Sequence, residues 1–152
     1  NKIRIDNSVI KQQKNETKYG LAKKNTYFEF KKRVENSKKR LISIFRYCKS
    51  KNKKIIGYGA TAKSTTILNY CKINNKTIDY FVDTTEAKQN KYTPGTKILV
   101  KKYKGYIDSD VDYIFLGAWN FQNEIFAKEK KFIKDGGKFI IHTPYPKIIW
   151  KK

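Results

Sequence analysis

A glycine-rich stretch between an apolar run and a helical segment constrains this chain most. The stretch is Gly57-Tyr58-Gly59-Ala60-Thr61-Ala62-Lys63-Ser64, and it follows Ile55-Ile56. A glycine-rich turn between a strand and a helix presents unpaired backbone N–H groups at the positive end of the helix dipole, which suits a phosphate or a carboxylate. Its Gly-x-Gly-x-x-Ala spacing matches the dinucleotide-binding fingerprint only loosely. The pattern therefore predicts a strand, a turn and a helix, and it leaves the ligand open.

The remaining chain alternates between short apolar runs and helical segments. Strands are predicted at 54–57, 78–82, 97–100, 111–116 and 138–142, and helices at 62–72 and 121–134. Buried strands separated by helices are typical of a parallel sheet that is covered on both faces. The sequence thus predicts an α/β fold, a Rossmann-like parallel sheet with helices on both faces. Pro144 and Pro146 are expected to end the regular structure.

A long N-terminal helix, residues 27–50, is predicted to precede the sheet. Thr26 and Glu29 have the spacing of a capping box, which would start this helix. Its apolar side chains recur on one face, which is typical of an amphipathic helix. They are Tyr27, Phe30, Val34, Leu41, Ile44, Phe45 and Cys48. The helix at 121–134 is likewise expected to bury Phe121, Ile125, Phe126, Phe132 and Ile133.

The chain is expected to contain two regions. Residues 1–24 are polar and are expected to be a linker or the tail of an upstream domain, in which Ile3-Arg4-Ile5 could form a short strand. Residues 25–152 are expected to form the Rossmann-like C-terminal domain, with the sheet between 53 and 146. The chain begins at Asn1 and contains no Met, so we expect it to be a piece of a longer polypeptide.

The net charge of +22 raises the question of nucleic-acid binding, because a basic face attracts phosphate backbones. The 35 basic residues comprise 31 lysines and 4 arginines, spread along the whole chain. Arginine is the residue favoured for bidentate base and phosphate recognition, so this composition disfavours a specific nucleic-acid partner. No apolar run is long enough to span a membrane, and no signal-peptide pattern is present. Cys48 and Cys71 form no Cys-x-x-Cys pair, so we expect thiols in the reducing cytoplasm.

In a doubly wound sheet, ligands bind beyond the carboxyl ends of the strands, where the strand order reverses. The loops Gly57–Ser64 and Gly117–Asn120 are therefore predicted to face each other across one crevice. Lys63 could pair with a phosphate there, or it could be an ordinary surface lysine.

Four further residues have more than one interpretation. Asp83 follows Gly59 by 24 residues and could bind ribose hydroxyls or cap a turn. Trp119-Asn120 could stack on a ring and hydrogen-bond to it, or Trp119 could belong to the core. His142, the only histidine, is expected to be a packing residue rather than a catalytic base.

Several ordered segments together resemble the C-terminal domain of S-adenosylmethionine-dependent sugar C-methyltransferases. These segments are Gly57–Lys63, Asn69-Tyr70-Cys71, Val82-Asp83, Lys88–Thr96, Trp119-Asn120 and Gly136–Phe139, with Tyr27-Phe28-x-Phe30 and Ile3-Arg4-Ile5 also similar. The resemblance covers nearly the whole chain. His142 and Tyr145 depart from the expected proline and acidic residue, which leaves the fold expectation intact and the identity of the sugar open.

The resemblance implies that this domain does not bind NAD but helps to hold the nucleotide-sugar acceptor. The general base, the methyl-donor site for S-adenosylmethionine and the zinc-binding N-terminal region would lie in upstream parts of the same polypeptide. The domain alone would be inactive, with no catalytic residue, no metal ligand and no bound cofactor. The implied substrate-binding residues are Gly57, Tyr58, Gly59, Ala60, Thr61, Lys63, Asp83, Trp119 and Asn120. An NAD(P)-binding domain, or a nucleotide-sugar-binding domain of another sugar-modifying enzyme, remains the alternative.

Overall fold

The computed structural model describes residues 5–150, so Ile3 and Arg4 of the expected N-terminal strand lie outside the described residues. Its helices are α1 Asn7–Lys18, α2 Lys24–Ser50, α3 Ala62–Cys71, α4 Gln122–Lys128 and α5 Lys130–Lys134. Its strands are β1 Ile55–Tyr58, β2 Tyr80–Asp83, β3 Leu99–Lys102, β4 Tyr113–Leu116, β5 Lys138–Ile141 and β6 Lys147–Ile149. Two short 3₁₀ turns, Glu86–Lys88 and Trp119–Phe121, complete the regular structure of this part of the chain.

The six strands form one sheet in the order β3-β2-β1-β4-β5-β6. The first four pairings are parallel, whereas β6 runs antiparallel to β5. The α/β class is as predicted, but the sheet is mixed rather than purely parallel. The expectation that the two prolines end the regular structure is wrong, because β6 begins directly after Pro146. A proline is tolerated beside an edge strand such as β6, which pairs on one side only.

Alternate strand residues pack on opposite faces of the sheet, so the core has two halves. On one face Ile55, Phe81, Phe115 and Ile140 pack with side chains of α2 and α3. On the other face Ile56, Val82, Ile114 and Phe139 pack with side chains of α4 and α5. Helices therefore cover both faces of the sheet, as the sequence predicts.

The chain divides into two compact units, with the boundary between Asn36 and Ser37 inside α2. In the first unit, α1 occupies a stretch that was expected to be a linker. The Asp6 side chain caps this helix by accepting a hydrogen bond from the Ser8 N–H at 2.7 Å. The assignment of residues 1–24 to a linker or an upstream tail remains a prediction.

The predicted start of the long helix is wrong. Helix α2 begins at Lys24, so Thr26 lies inside it and cannot act as its N-cap. The Thr26 hydroxyl instead donates a hydrogen bond to the Gly20 carbonyl oxygen at 2.8 Å. The predicted apolar face is buried at Leu41, Phe45 and Cys48. In the first unit, however, Tyr27 and Phe30 are 57% and 58% exposed.

The single helix predicted at 121–134 is interrupted. Its first residue, Phe121, is 59% exposed instead of buried, whereas Ile125 and Phe132 are buried as expected. The break falls at Glu129, which is only 3% exposed and accepts a hydrogen bond from the Tyr103 hydroxyl at 2.5 Å. A buried carboxylate needs such a partner, and this one comes from a distant part of the chain.

Candidate functional site

The strand order places β1 next to β4, so the loops that leave their carboxyl ends are neighbours as predicted. They are in direct contact, however, rather than facing each other across a crevice. A Cβ atom added at Gly117 would lie 2.2 Å from the Gly59 carbonyl oxygen, and one added at Gly59 would lie 2.5 Å from the Ala118 Cβ. These two glycines are therefore required for the close approach of the two loops.

The backbone N–H groups of the glycine loop donate to acceptors within the protein. The Gly59 N–H donates to the Val82 carbonyl at 2.9 Å, and the Ala60 N–H donates to the Asp83 carboxylate at 2.8 Å. Thr61 and Ser64 form a capping box at the start of α3, in which each side chain accepts from the other residue's N–H. The loop therefore offers a phosphate fewer free donors than its glycine spacing suggests.

Asp83 ties the end of β2 to this loop. One carboxylate oxygen accepts from the Thr85 N–H at 2.8 Å, and the other accepts from the Ala60 N–H and from Lys88 Nζ at 3.2 Å. Burial alone would raise the pKa of Asp83, but these hydrogen bonds outweigh it and hold the pKa below its ordinary value. The geometry favours the turn-capping interpretation of Asp83 over ribose binding.

Lys63, Trp119 and Asn120 are brought together, although they are far apart in sequence. Lys63 Nζ donates to Asn120 Oδ1 at 3.0 Å and lies over the Trp119 ring, 5.1 Å from its centroid. Lys63 and Asn120 are exposed, and Trp119 is half-buried at the start of a 3₁₀ turn. The remaining N–H donors of the ammonium and amide groups can bind an anionic or polar ligand beside an aromatic surface.

A cavity of about 310 Å³ opens at the same edge of the sheet, and we name it the carboxyl-edge cavity. Among the predicted site residues, Tyr58, Gly59, Thr61 and Asp83 line it. Sequence reasoning missed the other side chains that supply its chemistry, which are Thr84, Thr85, Lys88, Phe121, Glu124 and Lys128. The i, i+4 spacing of Glu124 and Lys128 was a usable signal, since it places both on one side of α4.

Comparisons with known proteins identify the family of this chain. The family described as "C-methyltransferase C-terminal domain" matches residues 2–144. The chain belongs to this family. It is also 33% identical over 134 residues to C-methyltransferase NovU of Streptomyces niveus. The alignment covers 88% of this chain but only 32% of that relative, so the chain spans about a third of the relative's length.

This member of the C-methyltransferase C-terminal domain family has a second, larger cavity of about 670 Å³. It is lined by residues 105–111, which lead into the amino end of β4, so it lies at the opposite edge of the sheet. Its carboxylates already have partners. Lysines pair with Asp108, Asp110 and Asp135, and Glu129 accepts a hydrogen bond from the Tyr103 hydroxyl. Because ligands of Rossmann-like sheets bind at the carboxyl edge, we place the candidate site there despite the smaller volume.

Two buried titratable groups near the site are held in their neutral forms. Burial, followed by the hydrogen bond to Glu129, raises the pKa of Tyr103 to about 12. Burial and the nearby Glu129 charge also raise the pKa of Tyr58, so its hydroxyl stays protonated at neutral pH. Tyr58 is therefore unsuited to act as a base.

His142 follows β5 and packs against Phe115, with the ring centroids 5.5 Å apart. It is 7% exposed, and its Nδ1 has no hydrogen-bond partner among the described residues. Burial lowers the pKa of His142 to about 4, so the imidazole is neutral at pH 7. These features favour the expected packing role.

Within residues 5–150, no group of three or more His, Cys, Asp or Glu side chains is arranged to hold a metal ion. Over the same residues, no helix has the length and apolar character needed to cross a membrane. Cys48 and Cys71 are buried free thiols.

Proposed function

We propose that this domain binds the nucleotide-sugar acceptor of an S-adenosylmethionine-dependent sugar C-methyltransferase. The observation that carries the proposal is the cluster of Lys63, Trp119 and Asn120 at the carboxyl edge of the sheet in a C-methyltransferase C-terminal domain. A cationic donor, an amide and an aromatic surface match the anionic, polar and ring-containing parts of a nucleotide sugar.

The hydrogen bonds of the glycine loop favour an acceptor-binding site over a dinucleotide-binding site. A dinucleotide would need free loop N–H groups for its pyrophosphate and a free carboxylate after β2 for its ribose. Here the Ala60 N–H and the Asp83 carboxylate are hydrogen-bonded to each other, and Lys88 occupies the same oxygen. NAD(P) binding would require these contacts to be broken.

In the proposed reaction, a base would remove the acidic proton beside a sugar keto group, and the methyl group would pass to that carbon as its bond to the donor sulfur breaks and the electron pair stays on sulfur. S-adenosylmethionine supplies the methyl group. We assign the binding site for S-adenosylmethionine, the general base and a zinc-binding region to upstream parts of a longer polypeptide. The upstream methyl-donor domain is then the partner of this domain. This domain would orient the acceptor, and the buried free thiols fit a cytoplasmic enzyme.

The proposal is tested by isothermal titration of the chain with thymidine- and uridine-diphosphate hexoses, and by a parallel fluorescence titration with NADH. We expect saturable binding of a nucleotide sugar and none of NADH. Lys63→Gln should weaken nucleotide-sugar binding about tenfold, because a charge-assisted hydrogen bond is lost. Lys51→Gln changes the net charge equally at an exposed position and serves as the control. Tight NADH binding without nucleotide-sugar binding would refute the proposal.

A further inference from the structure

The apolar stripe along α2 is buried toward the end of the helix and exposed toward its start. Residues seven positions apart lie close to the same side of an α-helix, so Tyr27 continues the line of Leu41 and Cys48. Leu41 and Cys48 are buried in the core, whereas Tyr27 is exposed. Phe30, almost one turn after Tyr27, is exposed as well, and Val34 is half-buried. We name Tyr27, Phe30 and Val34 the α2 aromatic face.

Residues 5–36 form no apolar core of their own, since only Gly20 is buried among them. The exposed large apolar side chains of this stretch are Ile5, Val9, Ile10, Tyr19, Leu21, Tyr27, Phe28 and Phe30. Helices in water draw most of their stability from packing an apolar face, and large exposed apolar patches mark interaction sites. The α2 aromatic face therefore requires a partner surface.

The rings of this face are already ordered for binding. The Tyr27 hydroxyl donates to the Leu21 carbonyl oxygen at 2.7 Å, and the Arg33 guanidinium group lies over the Phe30 ring, 5.9 Å from its centroid. Because these contacts restrict the two rings, less conformational entropy is lost when a partner packs on them. Arg33 also places a cation beside the apolar surface, which favours a partner that combines apolar side chains with carboxylates.

Charge disfavours a second copy of this chain as that partner. Residues 5–36 contain eight Lys or Arg and four Asp or Glu, and the whole chain carries a net charge of +22. Two copies that met at the α2 aromatic face would bring like charges together, and a high net charge keeps proteins monomeric. The complementary surface is therefore less basic than this chain.

A covalently linked partner fits these requirements. The family match covers residues 2–144, so the helices that carry the face belong to the family domain. About two thirds of the relative NovU lies outside its alignment with this chain. A linked domain is present at a high effective concentration, so even a small aromatic face can hold it.

We propose that the α2 aromatic face is the surface on which the upstream part of the longer polypeptide docks. The rings of Tyr27 and Phe30 insert into an apolar groove, and carboxylates at the rim of that groove pair with Arg33 and the neighbouring lysines. This inference rests on the proposed function, which assigns the methyl-donor domain to that upstream part. It adds the surface of contact, which shares no residue with the proposed acceptor site.

The test is hydrogen–deuterium exchange of the full polypeptide encoded by the same gene, compared with that of this chain. The amides of residues 24–36 should exchange at least about tenfold more slowly in the full polypeptide, because docking suppresses local opening of the helix. Phe30→Ser should remove most of that protection. Phe28→Ser is the matched control, because both rings are 58% exposed but residues two positions apart do not share a side of the helix. Serine and phenylalanine have similar helix propensities, so neither variant should unfold α2 by itself.

Three results would overturn the inference. Equal exchange of residues 24–36 in the chain and in the full polypeptide, or a gene that encodes no upstream domain, would show that nothing upstream covers the face. An equal loss of protection in Phe28→Ser and Phe30→Ser would show a general loss of helix stability. A dimer of this chain in sedimentation velocity that Phe30→Ser converts to a monomer would show that a second copy is the partner.

Titration of the full polypeptide with a nucleotide sugar separates this inference from the proposed function. Protection of residues 24–36 without nucleotide-sugar binding would support the docking surface and refute the acceptor site. Nucleotide-sugar binding without protection would do the reverse.

Discussion

His142 should make the stability of this domain fall as the pH is lowered from 7 to 5. The buried imidazole packs against Phe115, and its Nδ1 has no partner among the described residues. Burial lowers its pKa from the ordinary 6.5 to about 4. Below pH 6.5 the unfolded chain binds a proton that the folded chain does not, so acidification favours unfolding. Below pH 4 both states are protonated, and this contribution becomes constant.

The size of the effect follows from these two pKa values. Their difference lowers the free energy of unfolding by about 3 kcal/mol once both the folded and the unfolded states are protonated. Of this, about 2 kcal/mol is lost between pH 7 and pH 5. Asp83 titrates outside this window. Its pKa is lowered in the folded state, so its stabilising contribution is present above the ordinary Asp value and is lost only as the pH falls below about 4.

Urea unfolding at pH 5 and pH 7, followed by circular dichroism, measures this change. His142→Gln removes the titrating group, so it should abolish most of the 2 kcal/mol difference whatever its effect at pH 7. The neighbouring Ile141→Val is the matched control, because it trims a buried side chain without adding or removing a charge. It should lower the free energy of unfolding by about 1 kcal/mol at both pH values. If His142→Gln keeps the full pH dependence, the buried neutral imidazole is not its cause.

Three further substitutions test the contacts around the site by urea unfolding at pH 7. Gly117→Ala should destabilise the domain by at least about 2 kcal/mol, because the added Cβ would collide with the Gly59 carbonyl oxygen. Near-wild-type stability would show that the loops after β1 and β4 can separate at little cost in free energy. Tyr103→Phe should cost about 1–3 kcal/mol, because it leaves the buried Glu129 carboxylate without that donor. Asp83→Asn should lower the free energy of unfolding by about 2 kcal/mol, because it weakens the charged hydrogen bonds at the end of β2. An unchanged free energy of unfolding would contradict the turn-capping role of Asp83.

Local sequence patterns predicted the helices, strands and turns that are determined by residues close together in the sequence. The strand, turn and helix around Gly57–Ser64 follow from an apolar run, two glycines and a Thr61–Ser64 cap, all adjacent in sequence. The neighbouring positions of Lys63 and Asn120 were also predictable, because the order of a doubly wound sheet places β1 beside β4.

Features that depend on distant partners could not be predicted in this way. Glu129 looks like a surface residue in sequence, and its burial depends on a hydrogen bond from the distant Tyr103 hydroxyl. Strand β6 is recognisable only through its pairing with β5, since the preceding prolines suggest the opposite. Phe121 was assigned to the core from helical periodicity, but the helix break at Glu129 and the 3₁₀ turn before α4 alter which side of the segment faces solvent.

The glycine loop shows how a sequence fingerprint can be met for a structural reason. At Gly57 an added Cβ would lie 2.3 Å from the Phe81 ring, so only glycine leaves room for that ring. At Gly59 an added Cβ would likewise collide with Ala118. The same close packing directs the loop N–H groups to Val82 and Asp83, so the backbone has few donors left for a ligand. Ligand recognition must then come from side chains that border the edge of the sheet. Under the proposed function, acceptor affinity is expected to depend on the side chains of Lys63, Trp119 and Asn120 far more than on the spacing of the glycines.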